Sequence, residues 1–207
     1  MSARFITFEG GEGAGKSTMV ARARGWLEAH GHEVVQSREP GGTPLAERIR
    51  AIVLDHDHES FDPVAELLLV FAARAQHLAE LIRPSLAAGK TVLCDRFTDA
   101  TWAYQGAGRD GPLELIGQLE QAVHGDLQPD LTILLDVPVE TGMRRMAGRG
   151  EADRIEQESM AFFERVRRNY LERAAAAPER FAVVDAGAGL EAVWRSVEGV
   201  LERRLAT

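Results

Sequence analysis

Cysteine is almost missing from this chain: the single thiol is Cys94. That excludes an intrachain disulfide and a cysteine-built metal site, and a reducing compartment fits. Cys94 lies in an apolar run, where packing explains it without a catalytic role. Lysine is nearly as scarce, with only Lys16 and Lys90, so arginine carries almost all of the positive charge. Arginine suits forked contacts to phosphate, although genome composition could produce the same bias. Positive charge as a whole is in deficit, 24 Lys and Arg against 32 Asp and Glu, for a net charge of −8. A general nucleic-acid binder shows a basic field instead, so no nucleic-acid partner is expected. No apolar stretch reaches the ~20 residues needed to span a membrane, and the N-terminus runs into a strand with no signal-peptide pattern. The expectation is a cytoplasmic protein without a membrane partner. Asparagine occurs once, at Asn169, and Tyr170 follows it. The guanine-reading N-K-x-D of a GTP switch is therefore lacking.

The 207 residues suit one α/β domain spanning the whole chain. Five apolar runs read as strands: Arg4–Glu9, Glu33–Arg38, Thr91–Asp95, Leu131–Val137 and Phe181–Asp185. Several are too continuously apolar for a half-exposed sheet and predict strands covered on both faces. Met19, Val20, Ala23, Trp26 and Leu27 form an apolar stripe at helical spacing. Further helices are predicted over Pro44–Leu54, Val64–Leu81, Pro112–Val123, Val139–Met146, Glu158–Ala176 and Leu190–Arg204. Strands alternating with helices imply a doubly wound, five-stranded parallel sheet flanked by helices. Two segments break the pattern. Met143–Glu158 is polar and arginine-rich, which suits either a solvated connection or a short lid over a phosphate site. Ala65–Ala73 is apolar nearly all round, which means burial on more than one side, within the chain or between subunits.

The first strand ends in Gly10-Gly11-Glu12-Gly13-Ala14-Gly15-Lys16-Ser17, which fits G-x-x-x-x-G-K-[ST]. The glycines let the backbone turn successive N–H groups inward to form an anion nest. The following helix presents its free N–H groups and positive dipole end to the same phosphates. Lys16 would reach the β- and γ-phosphates of ATP, and the Ser17 hydroxyl would ligate Mg²⁺. A carboxylate is also needed near that metal. Asp95 and Asp136 each end a strand where ligands of parallel sheets bind. Asp95 is favoured because Arg96 follows it, a cation for the transferring phosphate, whereas Asp136 reads better as a turn former. A chain of this length with this loop is expected to be a small-molecule kinase.

Five blocks in order, FEGGEGAGKST at Phe8–Thr18, REPGGT at Arg38–Thr43, FAAR at Phe71–Arg74, DRFTDATWAYQG at Asp95–Gly106 and RGEADRIE at Arg149–Glu156, resemble those of the bacterial thymidylate kinase family. The resemblance runs over nearly the whole chain. It implies a P-loop kinase fold, phosphorylation of dTMP to dTDP with ATP and Mg²⁺, and a homodimer. It implies that Gly10, Gly11, Glu12, Gly13, Ala14, Gly15, Lys16, Ser17 and Thr18 bind ATP, with Ser17 and Asp95 at the metal. Glu12 corresponds to an acid that meets the acceptor's sugar 3′-hydroxyl. Arg38 and Arg96 correspond to the pair gripping the acceptor phosphate, and Arg74 to the reader of the thymine O4. Thr101 and Gln105 take positions that face the base. Tyr104 takes the place of a ring that crowds a ribose 2′-hydroxyl. The phosphate loop here lacks the arginine of one family subtype, and Arg149 matches the lid arginine of the other, with Arg145 and Arg154 as supporting candidates. In two places the chain departs from the pattern. Phe97 stands where Tyr or His is commoner. The base-stacking Phe is often four residues before the base-reading Arg, but position 70 is Val, and Phe71 is the expected stacker. Rival readings are another nucleoside monophosphate kinase, a small-metabolite kinase, or a non-catalytic nucleotide sensor.

Overall fold

The computed structural model describes residues 3–55, 61–147 and 153–205. Five strands, β1 (Phe5–Glu9), β2 (Val34–Arg38), β3 (Thr91–Asp95), β4 (Leu131–Asp136) and β5 (Phe181–Asp185), pair in parallel in the order β2-β3-β1-β4-β5. Each expected strand is found, with its ends shifted by at most one residue. β1 is buried along its whole length between β3 and β4, its polar Thr7 and Glu9 included. Strands β2 and β3 lie to one side of β1 and β4 and β5 to the other. This reversal of strand order opens a crevice at the carboxyl ends of the central strands.

Helices cover both faces. On one, Met19, Val20 and Leu27 of α1 (Lys16–Ala29) join Val193, Val197 and Leu201 of α9 (Leu190–Leu205) over Ile6, Phe8, Ile133 and Leu135. On the other, Phe162, Phe163, Val166 and Tyr170 of α8 (Met160–Ala176) pack against Leu134 and Tyr104. Each such side chain, once fully buried, contributes about 1.5–3 kcal/mol. Helices α2 (Pro44–Leu54) and α3 (Pro63–His77) start where the sequence signals them. The Thr43 hydroxyl accepts from the Ala46 N–H, and the Asp62 carboxylate accepts from the Val64 and Ala65 N–H groups, each with proline next in the chain. The remaining elements are α4 (Arg83–Ala87), α5 (Thr98–Thr101), α6 (Leu113–Val123) and α7 (Val139–Met146). Among the described residues no helix is long and apolar enough to cross a membrane.

Two stretches differ from expectation. The helix expected to stop at Leu81 continues through a π-helical run, Leu78–Ile82, into α4. Pro84, which has no N–H, falls after the change of hydrogen-bond pattern and so does not end the helix. Residues Thr98–Gly108, read only as part of a motif, are helical throughout, α5 followed by a π-helical run, Trp102–Gly108. This run packs against α8 at Gly108, where an added Cβ would come within 2.6 Å of the Phe162 ring. In the arginine-rich segment, α7 ends at Met146, residues 148–152 lie outside the described residues, and α8 begins after Ser159.

Candidate functional site

The phosphate loop leaves β1 at Gly10 and delivers the chain to α1 at Lys16. Gly13 and Gly15 take φ angles of 69° and 86°, which glycine adopts without strain. A Cβ on Gly13 would lie 2.1 Å from the Gly142 carbonyl oxygen. The loop therefore sits directly on the backbone of α7, and no other residue type fits there. Lys16 folds back over the loop, its Nζ donating to the Gly10 and Gly11 carbonyls at 3.0 Å each. Burial and the nearby Arg96 push its pKa down, while Glu12 and Asp95 pull it up. These two carbonyls hold the ammonium group in place above the nest.

A cavity of about 270 Å³ opens beside the loop. Its walls include Glu12 through Thr18, Arg38 at the end of β2, Asp95 and Arg96 at the end of β3, Val70 and Arg74 of α3, and Thr101, Tyr104 and Gln105. Arg50, Val53 and Leu54 of α2, together with Glu39, Asp153, Ile155 and Glu156, also line it. Residues from all the sequence motifs, scattered from Glu12 to Glu156, thus converge on one space. Gly10 and Gly11 line a smaller neighbouring cavity behind the loop.

Arg96 sits at the centre of the polar network. Its guanidinium donates to the Gly10 carbonyl at 3.0 Å and the Tyr170 hydroxyl at 3.3 Å, pairs with the Glu12 carboxylate, and lies 4.7 Å from the centre of the Tyr104 ring. Burial works against its charge, but Glu12 and its neighbours hold its pKa well above the ordinary value. Burial likewise disfavours the Glu12 carboxylate, yet Arg96 and Lys16 bring it down to about 2. Tyr104 donates its hydroxyl to the same carboxylate at 2.9 Å. Arg38, more exposed, pairs with Glu47 at 2.9 Å.

Arg74 is 1% exposed. Its Nε donates to Glu39 at 2.7 Å, and its Nη2 donates to the Thr101 hydroxyl at 2.9 Å and the Phe97 carbonyl at 3.3 Å. Its Nη1 is buried and has no hydrogen-bond partner among the described residues. An unpaired buried donor costs roughly 1–3 kcal/mol, which an acceptor brought by a ligand would offset. The expectation for Phe71 is corrected. It packs with Leu67 and Ile116, the Arg74 guanidinium 4.8 Å from its ring centre, while Val70 reaches the cavity. One residue along a helix turns the side chain by about 100°, enough to move Phe71 out of the site.

Asp95 and Ser17 line the same cavity, and neither side chain is hydrogen-bonded to a described residue. Among the described residues no cluster of three or more His, Cys, Asp and Glu forms a metal cage. Mg²⁺ does not need one, since it is usually held by one or two protein oxygens with waters and phosphate oxygens. Ser17 and Asp95 fit that role. Asp136, the rejected alternative, is held by Arg167 through two hydrogen bonds of 2.7 and 3.0 Å. Of the lid candidates, Arg145 is tied to the Ala186, Gly187 and Ala188 carbonyls and Arg154 to Glu66. Neither lines the cavity, and Arg149 lies outside the described residues.

A family model described as thymidylate kinase matches residues 8–197. The chain belongs to the thymidylate kinase family. It is 58% identical to a thymidylate kinase of Pseudomonas putida, over 98% of this chain and 99% of that one. It is 60% identical to that of Chromohalobacter salexigens, over 99% and 97%. Among solved structures, the thymidylate kinase of Ehrlichia chaffeensis superposes with a TM-score of 0.78 at 34% identity, covering 97% of this chain and 99% of that one.

In this thymidylate kinase family member, several site residues escaped the sequence reading. Arg50 was one arginine among many. Glu39 lies inside a recognised block, yet its partners, Arg74 and His77, are far along the chain. Glu9 ends an apolar strand, the one local sign of its role. It is fully buried and accepts from the Phe97 N–H at 2.7 Å and the Tyr170 hydroxyl at 2.8 Å. It thereby pins both sides of Arg96, whose φ of 71° is otherwise unfavourable for a residue with a Cβ. Burial, then the charge of Asp99, push the Glu9 pKa from 4.5 up to about 8. A raised acid favours folding fully below the unfolded-state pKa, and that contribution is lost as pH rises through the folded one. Glu9→Gln should therefore flatten the fall in stability between about pH 4.5 and 8. Denaturant melts across that range check this, and an unchanged slope would contradict it.

Proposed function

We propose that this chain transfers the γ-phosphoryl group of ATP to dTMP, giving ADP and dTDP in the supply of dTTP. The observation that supports this most is a single cavity lined by a phosphate loop, by Arg38, Arg50 and Arg96, and by Arg74, whose buried Nη1 has no partner among the described residues. Phosphates and a base bearing an acceptor oxygen fit such a space. The loop N–H groups and Lys16 bind the triphosphate. Mg²⁺, held by Ser17 and Asp95, would neutralise charge on its β- and γ-phosphates. Arg38 and Arg96 orient the acceptor phosphate so that one oxygen lies in line with the γ-phosphorus. That oxygen is already anionic near neutral pH, so no strong general base is required. Glu12 takes the sugar 3′-hydroxyl, Tyr104 excludes a 2′-hydroxyl, and Thr101 and Gln105 face the base beside Arg74.

The phosphate loop carries no arginine, and the resemblance assigns that charge to Arg149. Arg149→Ala should lower kcat at least about tenfold more than it weakens nucleotide binding. Steady-state rates beside titration calorimetry measure the two effects, and unchanged turnover would reassign the role. The proposal includes a cytoplasmic homodimer. Exposed Leu45 and Ile52 on α2 and Val64 and Leu68 on α3 support a subunit contact, and a monomer by light scattering would contradict it. Incubation with ATP, Mg²⁺ and dTMP tests the reaction itself. Equal amounts of dTDP and ADP are expected, whereas ADP without dTDP would mean hydrolysis instead of transfer.

A further inference from the structure

Glu66 lies on α3, is 1% exposed, and does not line the cavity. Its two oxygens have different partners. Oε1 accepts from the Gln105 side-chain Nε2 at 2.8 Å. Oε2 receives Arg154 at 2.6 Å, with Arg109 at 3.5 Å. A carboxylate paired with guanidiniums accepts hydrogen bonds and offers none. It therefore fixes which way the Gln105 amide points: the NH₂ toward Glu66, the carbonyl oxygen left over. That oxygen is hydrogen-bonded to no described residue, and Gln105 lines the cavity. Arg74 lines the same cavity, and its buried Nη1 is a donor with no partner among the described residues. Arg74 thus brings an unpaired donor group, and Gln105 a fixed acceptor, to one cavity.

We propose that Glu66 is a specificity-determining positioning residue for the acceptor base, acting by locking the Gln105 amide with its carbonyl toward the ligand. The inference rests on the assignment of a nucleoside monophosphate acceptor to this cavity. A donor beside an acceptor complements a 4-oxo pyrimidine, which offers O4 as acceptor and N3–H as donor. Cytosine offers the reverse, a 4-amino donor and an N3 acceptor, and meets each group with its like. Were the amide free to turn over, its NH₂ could satisfy cytosine N3, and the discrimination would weaken. Rejection of a mismatched polar edge depends on the site's polar groups being unable to re-pair. Glu66 supplies that restraint from behind Gln105, without touching the base.

The test compares kcat/KM for dTMP, dUMP and dCMP in wild type, Glu66→Gln, Glu66→Asp and Arg109→Gln. In Glu66→Gln the new amide can donate to or accept from Gln105. In Glu66→Asp the counter-charge for the arginines stays but the reach to Gln105 is lost, so this variant serves where the first does not fold. Both should lower the dTMP:dCMP ratio by about tenfold or more. The dTMP:dUMP ratio should not move, because uracil presents the same edge as thymine. Arg109→Gln loosens the opposite side of the carboxylate and should leave both ratios as in wild type. A dTMP:dCMP ratio retained in the folded Glu66 variants overturns the inference while leaving the acceptor assignment intact. Wild-type protein that fails to prefer dTMP over dCMP removes the assignment and this inference with it.

Discussion

Replacing Lys16 with alanine should lower kcat for ATP-dependent phosphorylation of dTMP about 10³-fold, the scale seen when a preorganised charge-stabilising donor is removed. The Lys16 ammonium is already held by two loop carbonyls, so little reorganisation is needed when phosphates arrive. The chain has no other lysine nearby, since Lys90 stands at the opposite end of β3 from Asp95. The loop N–H groups would remain, so ATP should still bind, more weakly. A Lys16→Ala protein that binds ATP yet scarcely turns over would place the loss in the transfer step, readable from kcat beside the ATP dissociation constant. Undiminished turnover would remove the phosphate loop from the reaction.

Arg96→Ala should have a comparable effect, about 10³-fold in kcat/KM for dTMP, with a second consequence that a simple phosphate contact would not have. Arg96 is a principal counter-charge for Glu12, whose pKa it helps hold near 2. Without it the Glu12 acid should titrate at higher pH, so residual activity should gain an acid limb absent from wild type. Arg96→Lys keeps the charge but not the fork that reaches Gly10, Tyr170 and Glu12 together. It should recover part of the pH profile and little of the rate. A variant whose pH profile matches wild type would show that Arg96 and Glu12 do not act as a unit.

The parts of this molecule legible in sequence are those encoded locally. The phosphate loop is one, because its glycines, lysine and serine lie close together in the chain and the positive φ angles at Gly13 and Gly15 favour glycine. The inner strands β3 and β4 are another, because burial on both faces leaves nearly continuous apolar runs. Where the encoding is distant, legibility fails. The side-chain contacts of Glu9 lie 88 and 161 residues away, at Phe97 and Tyr170, and Glu66 meets Gln105 39 residues on. No spacing rule marks such pairs. The helix Thr98–Gly108 was hidden for another reason. Threonine and glycine are weak helix formers, and packing of the run against α8 offsets that weakness. Phe71 shows a finer limit. The pattern located the correct helix, but choosing between neighbouring positions requires its rotation, and Val70 took the place by the cavity.

The most direct measurement is a panel of nucleoside monophosphates offered to the wild-type protein with ATP and Mg²⁺, following ADP release and identifying each diphosphate. dTMP is expected to be the best acceptor and dTDP the product. Strong preference for UMP over dTMP, or no phosphorylation of any nucleotide, would contradict that expectation.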